Sequence, residues 1–288
     1  MKVRVQVAGR ELALSNLDKV LYPETGFTKA EVIDYYSRIA PVLLPHVRGR
    51  PLTVKRYPNG VTGPHFFEKN APRHTPPWIR RATLPVPGST KNRQTIDFAV
   101  IDDLPTLIYY ANLAALELHV PMWQVSPEGT ALPPDILVFD LDPGAPATIV
   151  ECCQVALLLR DALAKDDLEC RPKTSGNKGM QLHVPWPYPD RETSGYAREL
   201  AQRLDAGHEL VTSVMTRRER PGKVFIDWSQ NNPAKTTVAA YSLRANAAPT
   251  VSTPLSWEEV EGCDNPAQLV FTAPDVLARV EEFGDLFL

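Results

Sequence analysis

The chain has 288 residues, 43% of them apolar, and a formal net charge of −3. That allows one large or two smaller cores. No apolar run nears the roughly 20 residues that cross a bilayer, and Met1–Val5 alternates charged and apolar residues where a signal peptide would carry an apolar stretch, so a cytoplasmic protein without a membrane partner is predicted. Cysteines 152, 153, 170 and 263 form no Cys-x-x-Cys pair, which argues against zinc and against a disulfide framework.

The mild net charge hides an uneven distribution. From Leu44 to Arg93 there are ten Lys/Arg against Glu68 alone, a local charge of +9, whereas from Ser256 onward eight acids face Arg279, a charge of −7. A basic region opposite an acidic one fits a phosphate-backbone binder or an ordinary solvated surface.

Residues 2–14 read as two short strands around Ala8-Gly9. Leu14–Pro23 then offers Asn16 and Lys19 beside apolar anchors. Thr28-Lys29-Ala30-Glu31 is a capping box for a helix to about Leu44, striped by Val32, Tyr35, Tyr36, Ile39 and Val42. Lys29 lies in its first turn, where free N–H groups would suit a 5′-phosphate; two surface lysines would read alike. Leu52–Gly60 is a strand and turn, with Arg56 in it. In His65-Phe66-Phe67-Glu68-Lys69 the adjacent aromatics fill the core or protrude to stack on bases.

Residues 70–95, rich in Pro, Arg, Lys, Ser and Thr, are predicted to be a long loop. A helix follows from Leu104 to about Leu116, then a strand with Glu117 and His119 on one face. Asp135–Gly144 carries an apolar run, Ile136–Phe139, as in a strand buried on both faces, ending in Asp140 and Asp142. Residues at i and i+2 point to one side, and like charges that close call for a cation. Helices are predicted at 147–163 and 192–204, and the strand-helix-strand order suggests an α/β core.

Two further segments carry chemistry. In Thr174–Pro185, Gly176 and Gly179 let the backbone approach a ligand, while Ser175 and Lys178 suit a triphosphate. The Gly-Lys-Ser/Thr order of a Walker A loop is absent. Gln181 and His183 share a face of the following strand. In Lys223–Asn231 an apolar strand again ends in an aspartate, Asp227. A third carboxylate would let two divalent ions serve an attacking hydroxyl and a leaving pyrophosphate. Arg217, Arg218, Arg220 and Lys223 precede it, and Lys235–Leu243 reads as a strand ending at Arg244.

These motifs in this order, above all Val138-Phe139-Asp140-Leu141-Asp142-Pro143-Gly144 and Val224-Phe225-Ile226-Asp227-Trp228-Ser229-Gln230-Asn231, resemble the archaeo-eukaryotic primase superfamily. The best match within it is the polymerase domain of bacterial ligase D and its free-standing relatives. The resemblance implies an α+β fold, a primase-like catalytic core of mixed or antiparallel sheets flanked by helices. The expected organisation is one domain over 1–288: a DNA- and 5′-phosphate-binding part to about 130, a core to about 250 and an acidic helical tail.

It also implies that Asp140, Asp142 and Asp227 hold two Mn²⁺ or Mg²⁺. Ser175, Gly176, Lys178, Gln181, His183, His119 and Arg244 would bind an NTP or dNTP. Asn16, Lys19, Lys29, Arg56, Phe66, Phe67, Lys69, Arg220 and Lys223 would meet DNA with a gap or end carrying a 5′-phosphate. The stretch 85–101 matches a loop that brings broken ends together, and 213–222 one near the catalytic centre. Gln181 stands where the family writes histidine, with His183 two residues on. No ligase Lys-x-Asp-Gly is present, so the chain is expected to be either a polymerase domain of a larger ligase or a free-standing enzyme, the acidic helical tail favouring the second, nucleoid-associated and working with an ATP-dependent DNA ligase and an end-binding protein. Priming from scratch, or end binding without catalysis, are the competing expectations.

Overall fold

The computed structural model describes residues 2–86 and 94–288. A hairpin, β1 (Lys2–Val7) and β2 (Arg10–Ser15), leads through β3 (Val20–Tyr22) and β4 (Phe27–Thr28) to α1 (Lys29–Val47). Both arms of the α1 capping box form: Glu31 N donates to Thr28 Oγ1 at 3.3 Å and Thr28 N to Glu31 Oε2 at 2.7 Å. The helix continues through Pro41 and Pro45, a turn beyond the expected end. Each proline forfeits a helical hydrogen bond, but Leu43 and Val47 stay in the core.

Next come β5 (Thr53–Arg56), β6 (Phe66–Glu68), β7 (Arg81–Pro85), β8 (Thr95–Ala99), α2 (Leu104–Asn112) and β9 (Ala115–Val120). The long loop expected over 70–95 is corrected here. β7 pairs with β8, and Ala82 and Leu84 point inward onto Phe98, Val100 and Val125. Four strands in the order β17-β9-β5-β6, with β17 at Thr237–Val238, form one sheet. Leu118, Val54 and their neighbours pack on α1 and α2. Thr53, Lys55, Phe67, Glu117 and His119 share its polar face by register.

After β10 (Trp123–Val125) and β11 (Ala131–Pro134), the catalytic half contains β12 (Ile136–Pro143), α3 (Ile149–Ala164), β13 (Arg171–Thr174), β14 (Met180–Pro185), α4 (Thr193–Gly207), β15 (Val211–Thr212) and β16 (Val224–Asp227). Its sheet runs β13-β14-β12-β16-β15. All pairings are antiparallel except β15 with β16, so the α/β expectation gives way to α+β. Leu137, Phe139, Leu141, Met180, Leu182, Val184, Val224 and Ile226 pack under α3 and α4; the alternate residues form the opposite face.

The strand expected from Lys235 to Leu243 is only β17 long. The chain turns away at Tyr241, whose φ is +65°, and residues 241–252 double back on themselves. Three buried tyrosines hold that return: Tyr22 OH donates to Arg244 O (2.9 Å), Tyr35 OH to Tyr241 O (2.8 Å), and Tyr36 OH accepts from Leu243 N (3.2 Å). The acidic end, with α5 (Trp257–Glu261) and α6 (Ala273–Phe283), is docked. Arg279 grips Glu259 at 2.6 and 2.8 Å, and Asp285 takes His46 at 2.8 Å and Tyr241 OH at 2.7 Å.

Candidate active site

The registers of the five-stranded sheet place four polar residues in one row across four strands. Lys173 lies opposite Gln181, Gln181 opposite Asp140, and Asp140 opposite Asp227. Directly opposed residues point to one face, so the row lies on the side away from α3 and α4. Asp142 extends it by one pleat. β16 stops at Asp227 because a 3-10 turn, Trp228–Asn231, curls back. The Asn231 side chain then substitutes for a strand, bonding both N and O of Val138 (2.9 and 2.8 Å).

Burial, then Asp142 and Asp227, push the Asp140 carboxyl up to about 7, although Gln181 Nε2 donates to it at 3.0 Å. Partial burial between the cleft walls and the Asp227 charge raise Asp142 as well. Asp227 is turned toward its own cap, accepting from Ser229 N (3.0 Å), Gln230 Nε2 (2.9 Å) and Ser229 Oγ. As the side chains stand, no three His, Cys, Asp or Glu among the described residues enclose a cation site. The donor set nonetheless fits one: three hard oxygen ligands repel one another at a single sheet end.

A cleft of about 740 Å³ separates this row from the polar face of the four-stranded sheet. Asp140, Asp142, Ser175, Lys178, Gly179, Gln181, His119, Arg220 and Arg244 all line it. At the phosphate turn, Ser175 Oγ accepts from the N–H of Asn177 (3.3 Å) and Gly179 (3.2 Å), which leaves its proton for a ligand. Gly176 is required twice over: its φ is +69°, and a Cβ would lie 2.6 Å from Arg244 Cγ and 2.7 Å from the Val251 carbonyl carbon.

On the opposite wall, Glu117 is ringed by a histidine and two cations. His119 Nε2 lies 3.1 Å away, Arg244 3.5 Å and Lys55 3.8 Å. Burial opposes its charge, yet the His119 hydrogen bond and these positive neighbours hold the carboxyl down to about 2. Burial pushes the His119 imidazole below its ordinary value, against the pull of the Glu117 carboxylate that its Nε2 faces.

His183 is not in the cleft. Two residues along the strand from Gln181, it sits opposite Val138, its ring 5.0 Å from Phe287, and burial takes it well below the usual histidine range. That sets it apart from Ser175, Lys178, Gln181, His119 and Arg244, which line the cleft. Lys223 is also outside the lining; its carbonyl anchors Gly144 N at 2.8 Å. Arg220 does reach the cleft, its guanidinium carbon 3.8 Å above the Phe225 ring.

The 5′-phosphate candidates form a separate corner. Asn16 occupies a left-handed turn (φ 54°), Lys19 Nζ donates to Asn59 Oδ1 at 3.0 Å, and Lys29 Nζ to Ser15 O at 2.6 Å. The free helix amides expected there are taken: Lys29 N bonds Lys19 O, Ala30 N bonds Leu17 O, and Glu31 N bonds Thr28 Oγ1. The attraction for an anion comes from the ammonium groups instead. Lys29 is buried, and burial with the charges of Lys19 and Arg56 draws it down to about 8.

Phe66 and Phe67, on edge strand β6, are 45% and 60% exposed, so neither fills the core. Arg56 lies 5.2 Å over the first ring and Lys55 5.6 Å over the second. Lys69 is exposed nearby. The +9 region offers less charge to a ligand than its count, because Arg50 pairs with Asp135, Arg80 with Asp102 and Lys55 with Glu117. The stretch 85–101 lies partly in β8, and its residues 87–93 fall outside the described residues.

Sequence reasoning missed Gln230, which lines the cleft and holds Asp227, and Lys173, the cationic end of the row. Only the strand registers reveal the second.

Paired sheets with an acid row, a glycine-bounded phosphate turn and a cationic facing wall define a DNA-directed nucleotidyltransferase of the primase-polymerase class. The profile described as "LigD, primase-polymerase domain" matches residues 28–287, and the chain belongs to that family. It is 45% identical over 276 residues to the multifunctional non-homologous end joining protein LigD of Mycolicibacterium smegmatis, covering 95% of this chain and 35% of that protein. Against the bifunctional LigD of Bacillus subtilis the identity is 32% over 279 residues, 95% and 43% of the two chains. The chain thus spans well under half the length of these relatives. The solved polymerase domain of Mycobacterium tuberculosis ligase D, in complex with DNA, superposes with a TM-score of 0.89 at 43% identity over 96% of each chain. Among the described residues no helix is long and apolar enough to cross a membrane.

Proposed function

We propose that the protein fills short gaps in broken bacterial DNA, extending a primer 3′-hydroxyl toward a downstream 5′-phosphate during end joining. The observation that carries this reading is that Asp140 and Asp142 line one cleft beside the Ser175–Gly179 turn, with Asp227 in register with Asp140 on the next strand. Ser175 O–H, Lys178 and Arg244 bind and orient the triphosphate, with Gly176 and Gly179 allowing its close approach. Asp140, Asp142 and Asp227 would hold two divalent cations, Mn²⁺ or Mg²⁺, which when bound supply charge neutralisation for the attacking and leaving oxygens. Gln181, in the position where histidine is usual, fixes Asp140 through a neutral amide donor.

Lys19 and Lys29, with Asn16 between β2 and β3, receive the 5′-phosphate, and Phe66 and Phe67 stack on template bases. Ribonucleotides as well as deoxynucleotides are expected substrates. An ATP-dependent ligase and a DNA-end-binding protein are the expected partners, and the whole of 1–288 is taken to act as one catalytic unit. Extension of gapped duplexes bearing a 5′-phosphate or a 5′-hydroxyl, with each sugar type, tests the reading. The phosphate should favour extension; an Asp140→Ala protein that still extends the primer would sink it.

A further inference from the structure

Lys173 is a fully buried lysine, at 0% exposure, that the proposed chemistry does not use. It stands at the end of the polar row, beside Gln181 and one strand further from Asp140. Its ammonium does not turn toward the acids' cleft. It donates to Val238 O at 3.0 Å and to Ser252 Oγ at 2.6 Å. Val238 belongs to the opposite wall, in β17, and lines the cleft, whereas Ser252 Oγ also donates to Thr174 O at 2.8 Å and so joins β13 to the chain that follows Arg244. Ser252 is bonded to the return that carries Arg244, with Ser252 N on Ser242 O at 2.9 Å and Arg244 N on Thr250 O at 2.7 Å. Ser242 Oγ in turn accepts Leu118 N at 2.8 Å, in the strand between Glu117 and His119.

Taking an ammonium out of water is expensive, and burial draws this one down to about 7. A methylene-rich apolar residue would fill the site at less cost, but it would leave Val238 O and Ser252 Oγ without their shared donor. The segment 250–255 lies along the edge of β13, with Thr174 N on Thr253 O at 2.8 Å and Leu255 N on Pro172 O at 3.0 Å. Backbone bonds therefore already align the two walls lengthwise. What Lys173 adds is a tie across the gap between the faces.

We propose that Lys173 is a positioning residue that sets the width of the nucleotide cleft, holding the wall of Val238 and Arg244 at a fixed separation from the Ser175–Gly179 turn. This rests on the nucleotide-cleft reading above. Lys173 touches no substrate; it acts through Val238 and through Ser252. Both groups that grip the triphosphate ground state depend on that separation, so the loss falls on binding more than on turnover.

The test is titration of the folded protein with a non-hydrolysable nucleoside triphosphate, alongside steady-state gap filling and binding of 5′-phosphorylated gapped DNA. Lys173→Met should raise the triphosphate Kd and KM at least tenfold, with kcat within threefold and DNA affinity within twofold of wild type. Ser252→Ala, which keeps the Lys173–Val238 bond, should raise Kd about threefold, and the double variant should raise it by less than the product of the two single effects, because the Lys173–Ser252 bond is shared while Lys173–Val238 and Ser252–Thr174 are not. Unchanged triphosphate affinity in a folded Lys173→Met protein overturns the proposal, as does a parallel loss of DNA binding. If Lys173→Met does not fold, Ser252→Ala decides: an unaltered Kd is fatal. Wild-type protein that binds no triphosphate would instead sink the polymerase reading itself.

Discussion

Asp140 and Glu117 stand on the polar faces of the two sheets, and the protein treats them in opposite ways. Glu117 is enclosed by His119, Arg244 and Lys55, which bring its carboxyl down to about 2. Asp140 has two other acids as neighbours and one amide as donor, and its carboxyl rises to about 7. A buried charge matched from within is scaffold. A carboxyl left among others of its sign is relieved by a proton or by a cation.

The sharpest way to break this comparison is to remove the acids one at a time. Groups merely behind a metal ligand are worth about 10- to 100-fold, so Asp140→Ala should lower gap extension by at least about 100-fold, read as primer extended per unit time. Stability should move in opposite directions. Glu117→Gln strands Arg244 and Lys55 and should cost roughly 3–5 kcal/mol in urea denaturation. Asp140→Asn relieves repulsion and should raise the melting temperature of metal-free protein, by about 2–4 °C for each kcal/mol gained. If both variants destabilise alike, the comparison is wrong.

Acid titration sharpens it further. Glu117 has a lowered carboxyl, so its stabilisation is complete above the ordinary value near 4.5 and is lost as pH falls toward about 2. The Glu117→Gln protein should lack that limb of the unfolding profile. Lys29, drawn down to about 8, gives a smaller effect of the other sign. Its charge disappears as pH rises through that value, so preference for 5′-phosphate over 5′-hydroxyl ends should shrink between pH 7 and 9. Lys29→Ala should cost about tenfold in that preference at neutral pH. The least effect is expected from Phe67→Ala: about 1 kcal/mol of DNA affinity, the low end for a stacked base, measured by fluorescence anisotropy.

The acids, the phosphate turn and the capping boxes were legible because each is written within about ten consecutive residues. What escaped was set by pairing between distant strands. Lys173 reads as one charge in an ordinary strand until the register puts it in line with Gln181 and Asp140. His183 shares a face with Gln181 in any extended chain, but it lies one pleat beyond the cleft, against Phe287. β7 and β8 were hidden by flanking prolines and arginines, since a five-residue alternation such as Arg81–Pro85 is too short to outweigh them. The apparent basic face was partly spent on Asp102, Asp135 and Glu117, none of them inside the window that was counted.

The tyrosines that hold the Arg244 return carry a consequence for biosynthesis. Tyr22 and Arg244 are 222 positions apart, and Tyr35 and Tyr241 are 206 apart. Contacts this distant are late to form, and translation delivers the N-terminal partner first. A nascent chain displaying Asp140, Asp142 and the Ser175–Gly179 turn already has β5, β6 and β9 but lacks β17 and Arg244, so its cleft is completed only once about residue 250 has been made.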